Sequence, residues 1–481
     1  MKENLLRLNQ VTVKSGGVPI LDKIDLSIQK GEQWLIAGPA GSGKTSLAYT
    51  LLGRHFYSGS IDFNFGMDNK TYRVGIVEQQ RRFKNLSHTN DFYYQQRFNA
   101  SDADQTITVE EEFGERILVK NRWEDFLLDR LGIRNLLSKP QIQLSNGENK
   151  RVQLAIALAS EPELLILDNP FLGLDAEGRE TLGQILDDLI QRGIHILLIG
   201  SPSELPSLIT HIAWLEKGKL IFAGEKKAFH LPSNTAPETG LDPEILKRLR
   251  PVNLQSFSLA VKMVDLSIEY GDKPILNHID WEVKKGERWA ITGPNGAGKS
   301  TLLSLVTGDN PQAYAKDLYL FDRRRGTGES IWDIKKMIGF VSPELHLFFN
   351  YGSTCFEVVA SGLFDTIGLF RQLNKREEEI TLLWIGLLHL THLSAKRLDE
   401  LSTGQQRMIL LARALVKNPS MLILDEPCQG LDAGQIFHFK NLVDSLCFEF
   451  ETTLIYVSHY PEHIPACIDH FLKLEQGFII P

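Results

Sequence analysis

No run of about 18 apolar residues occurs anywhere in this chain, so nothing in it reads as a transmembrane helix. Any role at a membrane would fall to a partner. Cysteine is scarce, with Cys355, Cys428, Cys447 and Cys467 the whole set, all in the second half and none in a CxxC pair. That spacing suits neither a zinc cluster nor a disulfide framework and predicts reduced thiols in a cytoplasmic setting. The start, Met1-Lys2-Glu3-Asn4, leads into no apolar signal core, which points the same way. A positive balance is lacking too: 52 basic residues face 60 acidic ones, for a formal net charge of −8, so the chain as a whole gives no strong nucleic-acid signal.

Length and repetition are what the chain has. Its 481 residues, 43% of them hydrophobic, exceed what one core needs and suffice for two. Gly38-Pro39-Ala40-Gly41-Ser42-Gly43-Lys44-Thr45 returns as Gly293-Pro294-Asn295-Gly296-Ala297-Gly298-Lys299-Ser300, and Pro19-Ile20-Leu21 returns as Pro274-Ile275-Leu276. The loop lysines lie 255 positions apart (44 to 299), while Ser145 to Ser402 and Asp168 to Asp425 each span 257. The repeat is a duplication, and both halves are expected to share one architecture. A turn-rich stretch from Glu225 to Phe257 reads as the linker, with a short helical piece near Glu244 to Leu249. The expected domains are therefore 1–224 and 258–481.

Each half opens with alternating runs that suit antiparallel strands, such as Asp25-Leu26-Ser27-Ile28 and Leu266-Ser267-Ile268-Glu269. An apolar strand, Trp34-Leu35-Ile36-Ala37 or Trp289-Ala290-Ile291-Thr292, then enters the glycine loop. A helix should follow, over Ser46 to Leu52 and Thr301 to Val306. Leu164 to Leu167, Ile194 to Ile199, Met421 to Leu424 and Leu454 to Val457 read as buried parallel strands. In a loop of the form GxxxxGK(S/T), glycines turn backbone N–H groups toward phosphates, the lysine neutralises β and γ oxygens, and the hydroxyl meets Mg2+. Candidate nucleotide-binding residues are Gly38, Gly41, Gly43, Lys44, Thr45 and Ser46 in the first copy. In the second they are Gly293, Gly296, Gly298, Lys299, Ser300 and Thr301.

Downstream, Leu144-Ser145-Asn146-Gly147-Glu148 and Leu401-Ser402-Thr403-Gly404-Gln405 precede helices expected from Arg151 and Arg407. Asp168 and Asp425 follow, then Gly173-Leu174-Asp175 and Gly430-Leu431-Asp432. In this order the motifs resemble the ABC ATPases. The resemblance implies two tandem α/β nucleotide-binding domains, each with a P-loop core, an antiparallel β subdomain and an α-helical signature subdomain. It also implies ATP and Mg2+ as ligands, Thr45, Gln79, Asp168, Ser300 and Asp425 near the metal, and Asp175 and Asp432 in the D-loops. In that family the domains pair head to tail, so Ser145 and Gly147 are expected to face the second loop, and Ser402 and Gly404 the first. Glu148 is expected to add negative charge near ATP.

The halves differ where the family does its chemistry. In the second, Tyr270 stands at the adenine-stacking position, Glu426 at the general base and His459 at the switch histidine; Pro343 replaces the glutamine, with Glu344 beside it. In the first, Gln79 is kept, but Ser15 replaces the aromatic, Asn169 the base and Ser201 the histidine. One hydrolytic and one degenerate site are expected.

Plainer readings cover the rest. Arg323-Arg324-Arg325 and Arg81-Arg82-Phe83-Lys84, the latter near Phe92-Tyr93-Tyr94, read as solvated faces. His463 and His470 read as surface or core residues, and Trp34 and Trp289 as strand packing. Ser304-Leu305-Val306-Thr307-Gly308-Asp309, Arg323 to Lys336 and Ser361 to Gly368 are similar to the ModF, or photorepair, group of tandem ABC ATPases. The names of that group imply either molybdate transport or DNA repair. Pro343 and the lack of a membrane segment favour an ATPase working on a macromolecular partner. The tandem layout with Gln79 favours the energy-supplying subunit of a molybdate-type or other importer with a separate integral membrane permease.

Overall fold

The computed structural model describes residues 3–39, 41–65, 74–78, 107–113, 126–141, 144, 146–202, 206–230, 241–249, 256–271, 273–342, 345, 349 and 352–480. They fall into two compact units, one within 3–230 and one within 241–480.

In chain order the first unit runs β1 (Asn4–Ser15), β2 (Val18–Gln29), β3 (Trp34–Ala37), α1 (Lys44–Leu51), β4 (Tyr57–Phe63) and β5 (Val74–Val77). It continues with α2 (Val109–Phe113), α3 (Asn146–Ala159), β6 (Leu164–Asp168), α4 (Ala176–Gln191), β7 (His195–Ile199), β8 (His211–Glu216) and β9 (Lys219–Glu225). β1 is the middle strand of an antiparallel sheet ordered β2-β1-β4. Alternation buries Ile24, Leu26 and Ile28 of β2, and an irregularity at Lys23, whose φ is 50°, brings Leu21 into the same core. The second sheet runs β5-β6-β7-β3-β8-β9, parallel except for the terminal β8–β9 hairpin. Every residue of β6 is buried, which is why its sequence is a continuous apolar run ending in one carboxylate. Helices α3 and α4 supply Val152, Leu158, Leu182 and Leu186 to the core against it.

A helix α5 (Pro243–Leu249) lies within the turn-rich stretch. It packs on the second unit: Leu246 and Leu249 enter that unit's core, Arg248 pairs with Glu379, and Asn418 Nδ2 donates to Leu249 O at 2.9 Å. The second unit then repeats the first with β10 (Leu259–Tyr270), β11 (Lys273–Lys284), β12 (Arg288–Thr292), α6 (Lys299–Val306), β13 (Leu318–Leu320), β14 (Arg323–Arg324), α7 (Ile331–Met337) and β15 (Ile338–Val341). After these come α8 (Cys355–Ser361), α9 (Lys375–Leu387), α10 (Thr403–Leu415), β16 (Met421–Asp425), α11 (Ala433–Phe450), β17 (Thr453–Val457), β18 (His470–Glu475) and β19 (Phe478–Ile480). Its sheets are β11-β10-β13-β14, the order of β2-β1-β4 extended by β14, and β15-β16-β17-β12-β18-β19, which repeats the order of the six-stranded sheet of the first unit. No helix among the described residues is long and apolar enough to cross a membrane.

Two packing details bear on the sequence reading. Trp34 Nε1 donates to Glu32 at 3.0 Å and Trp289 Nε1 to Glu287 at 2.9 Å, and the two indoles stack on His211 and His470. The arginine triplet is not a uniform solvated face. Arg323 and Arg324 form the exposed strand β14, but Arg325 is only 2% exposed and pairs with Glu329. The segment around Arg81 lies outside the described residues.

Candidate nucleotide sites

Both glycine loops sit between the central strand of a parallel sheet and the helix that follows. Gly38 and Gly293 pass so close to the neighbouring strand that a Cβ would stand 2.0 Å from Leu215 O and 2.1 Å from Leu474 O, a place only glycine fills. Helices α1 and α6 begin at the lysines themselves, earlier than their apolar residues suggest. Thr45, Ser46, Ser300 and Thr301 therefore occupy first turns, where free N–H groups and the helix dipole favour anions. Lys44 Nζ donates to Gly38 O and Pro39 O, and Lys299 Nζ to Gly293 O and Pro294 O, all at 2.8 Å. Each ammonium is thus folded back over its own loop. Gly41, Gly43, Gly296 and Gly298 carry the left-handed turns between.

At the ends of β6 and β16 the two halves match in backbone conformation and hydrogen bonding and part in side chain. Asn169 and Glu426 share a φ of 45°, and their N–H groups donate to Ile199 O at 2.8 Å and Val457 O at 3.0 Å. In the second unit His459 Nε2 lies 3.2 Å from Glu426 Oε1. Burial, with the Asp425 carboxylate next in effect, pushes the Glu426 carboxyl up to about 8, against the pull of Lys299 and the His459 backbone N–H. In the first unit Asn169 Nδ2 donates to Asp168 Oδ1 at 2.9 Å, while Thr45 Oγ1 donates to Asp168 Oδ2 at 3.0 Å. Burial raises the Asp168 carboxyl although Thr45, Lys150, Lys44 and Asn169 oppose it. Ser201 follows β7 where His459 follows β17. Ser15 and Tyr270 match as well, closing their strands opposite Val18 and Lys273.

The signature element is a helix start. Ser402 caps α10 by accepting from Gln405 N, and the Gln405 side chain returns the bond, so the helix begins at Thr403 rather than near Arg407. A Cβ on Gly404 would come within 2.5 Å of Gln435 Nε2. In the first unit α3 starts at Asn146 and includes Gly147, and the Glu148 charge is paired with Lys139 at 2.8 Å. Asp175 and Asp432 cap α4 and α11 by accepting from Gly178 N and Gln435 N, each at 2.8 Å. Ser145, Gln79, Pro343 and Glu344 lie outside the described residues. His463 is buried and stacked on Tyr460.

Sequence reasoning missed a pair of buried cations. Lys150 Nζ donates to Glu78 O at 2.9 Å and Arg407 Nη1 to Ser342 O at 3.1 Å, tying each signature helix to the residue after a sheet strand. Burial pulls the Lys150 ammonium down to about 8, with Asp168 opposing. The signal was present, since 150 and 407 stand at the same 257-residue spacing as the signature serines.

The profile of a family described as ABC transporter matches residues 21–172 and 276–429. The chain belongs to the ABC transporter family. As a tandem ABC protein it binds and hydrolyses ATP. It is similar to the ABC transporter ATP-binding protein ModF of Escherichia coli, 37% identical over 97% of this chain and 96% of that protein. It is also similar to an uncharacterised ABC transporter ATP-binding protein of Schizosaccharomyces pombe, 28% identical over 99% of both. Among solved structures it resembles the complex of archaeal ribosomal stalk protein aP1 and archaeal ribosome recycling factor aABCE1. The match has a TM-score of 0.56 and 19% identity, covering 98% of this chain and 89% of that one. At that identity the likeness speaks for the fold alone.

Proposed function

We propose that the two nucleotide sites of this ATPase divide the work, the second hydrolysing ATP and the first holding it. What carries the reading is the matched backbone at Asn169 and Glu426, with a carboxylate beside His459 in one half and a neutral amide in the other. Glu426 takes the proton of the attacking water and His459 holds the γ-phosphate end of the reaction. Asn169 can orient a water but accepts no proton at neutral pH.

Mg2+ suits these sites, since Thr45 Oγ1 and Asp168 Oδ2 stand 3.0 Å apart as hard oxygen donors, with Ser300 and Asp425 at the matching positions. The ion, when bound there, neutralises phosphate charge. On ATP binding, Ser145 and Gly147 are proposed to complete the Lys299 site and Ser402 and Gly404 the Lys44 site. Domain closure then performs mechanical work on a macromolecular partner in the cytoplasm. A second reading, favoured by the name of the Escherichia coli relative, makes the chain the ATP-binding subunit for a separate permease. Co-purification with an integral membrane protein from native cells supports that second reading, and full recovery without one supports the first.

The division itself is tested on purified protein. Glu426→Gln should abolish ATPase activity and Asn169→Gln should leave it within about twofold; the reverse outcome overturns the assignment.

A further inference from the structure

Tyr270 closes β10, and its ring is held by a residue far from it in sequence. Asn310, 0% exposed, donates from Nδ2 to Tyr270 Oη at 2.9 Å and to Ser304 Oγ at 3.2 Å. Its Oδ1 accepts from Gln312 N at 3.0 Å, so the amide is held from both ends. Gln312 Nε2 donates in turn to Glu269 O at 2.8 Å, gripping the strand one residue before the ring. Ser304 stands on α6, the helix that starts at Lys299. Asn310 therefore links the phosphate-side helix to the tip of the strand that carries the aromatic ring.

We infer that Asn310 is a positioning residue of the second nucleotide site, fixing the Tyr270 ring in the plane that receives the adenine base. The inference rests on the reading of Tyr270 as the adenine platform. The first unit supplies the contrast. Its strand ends in Ser15, and the position 255 residues before Asn310 is His55, set edge-on to Tyr49 with ring centroids 5.8 Å apart. Ring and amide are absent there together. A free phenol ring on a strand end samples several rotamers, and binding a base must then freeze them. A buried amide on its hydroxyl removes that ordering cost before the nucleotide arrives. The effect belongs to binding and is uniform between ground and transition states, so it shows in KM and leaves kcat alone.

Steady-state ATP hydrolysis by the full chain tests this with Asn310→Ala, Tyr270→Phe, their double variant and Tyr270→Ala. Each of the first two should raise KM by about two- to tenfold, the range one neutral hydrogen bond supplies, with kcat held. The double variant should be no worse than the weaker single. A fall in kcat at unchanged KM, or a further rise in KM when Asn310→Ala is added to Tyr270→Phe, overturns the inference. If Asn310→Ala does not fold, Tyr270→Phe decides by itself: a raised KM supports the hydroxyl's role and an unchanged one overturns it. Tyr270→Ala separates the two claims. If it leaves KM unchanged, the platform reading fails; if it raises KM while Tyr270→Phe does not, only the role of Asn310 fails.

Discussion

His459 Nε2 stands 3.2 Å from Glu426 Oε1 in a setting where burial and the Asp425 carboxylate push the glutamate up to about 8. A base works only when ionised. The kcat/KM for ATP, which reports the free enzyme, should therefore rise with pH through an apparent value near 8. Well below it, activity should fall by roughly tenfold per pH unit. A flat profile from pH 6 to 9 would remove Glu426 from the proton-transfer step.

The same carboxyl makes a stability prediction with a definite sign. Its ordinary value is 4.5 and its folded value is about 8, so between these the unfolded chain has released the proton and the folded chain has kept it. Stability contributed by the group is complete below 4.5 and is lost as pH rises through about 8. Glu426→Gln, which cannot ionise, should melt above the parent at pH 8 by a few degrees, about 2–4 °C for each kcal/mol, and converge with it at pH 4.5. Thermal melts of the nucleotide-free protein at the two pH values check this.

Arg325 and Glu329 have side chains only 0% and 4% exposed, so neither charge tolerates losing the other. Arg325→Met should cost about 3–5 kcal/mol, and adding Glu329→Gln should recover much of that loss. Denaturant unfolding of both variants measures it; a double variant no more stable than Arg325→Met would mean that the Glu329 charge carries no penalty once its partner is gone.

Arg407 is 2% exposed and satisfies Ser342 O, the task that Lys150 performs for Glu78 O. Arg407→Met should destabilise the second unit by about 1–3 kcal/mol, while Arg407→Lys should cost under about 1 kcal/mol. Urea titration followed by a probe in the second unit distinguishes the two.

With two sites and one base, the nucleotides should part company in time. Removal of a positioned base slows hydrolysis by about 10²–10⁴-fold, so after one turnover protein loaded with labelled ATP should retain one intact ATP beside one ADP. Rapid quench and chromatography read the ratio, and complete conversion in a single phase would contradict it.

Much of this was legible because phosphate chemistry uses contiguous residues. The loops, the strand ending in Asp168 or Asp425, and the exchange of Glu426 for Asn169 are all read within a few positions. What escaped is joined only by folding. Lys150 and Glu78 lie 72 residues apart, Arg407 and Ser342 65, and Asn310 and Tyr270 40. Helix starts escaped for another reason, because at Ser402 the capping box with Gln405 begins α10 before any apolar periodicity appears. Nor does a run of three arginines reveal which one turns inward. That depends on the turn after β14, where Gly326 and Thr327 donate their N–H groups to the Glu329 carboxylate that holds Arg325.

Helix α5, with Leu246 and Leu249 in the second unit's core and Asn418 bonded to its last carbonyl, sets where the chain can be divided. A fragment that starts at residue 258 leaves the bed of those two leucines bare to water. One that starts at 241 carries its own cover, so the half that looks complete by its repeat begins earlier than the repeat does.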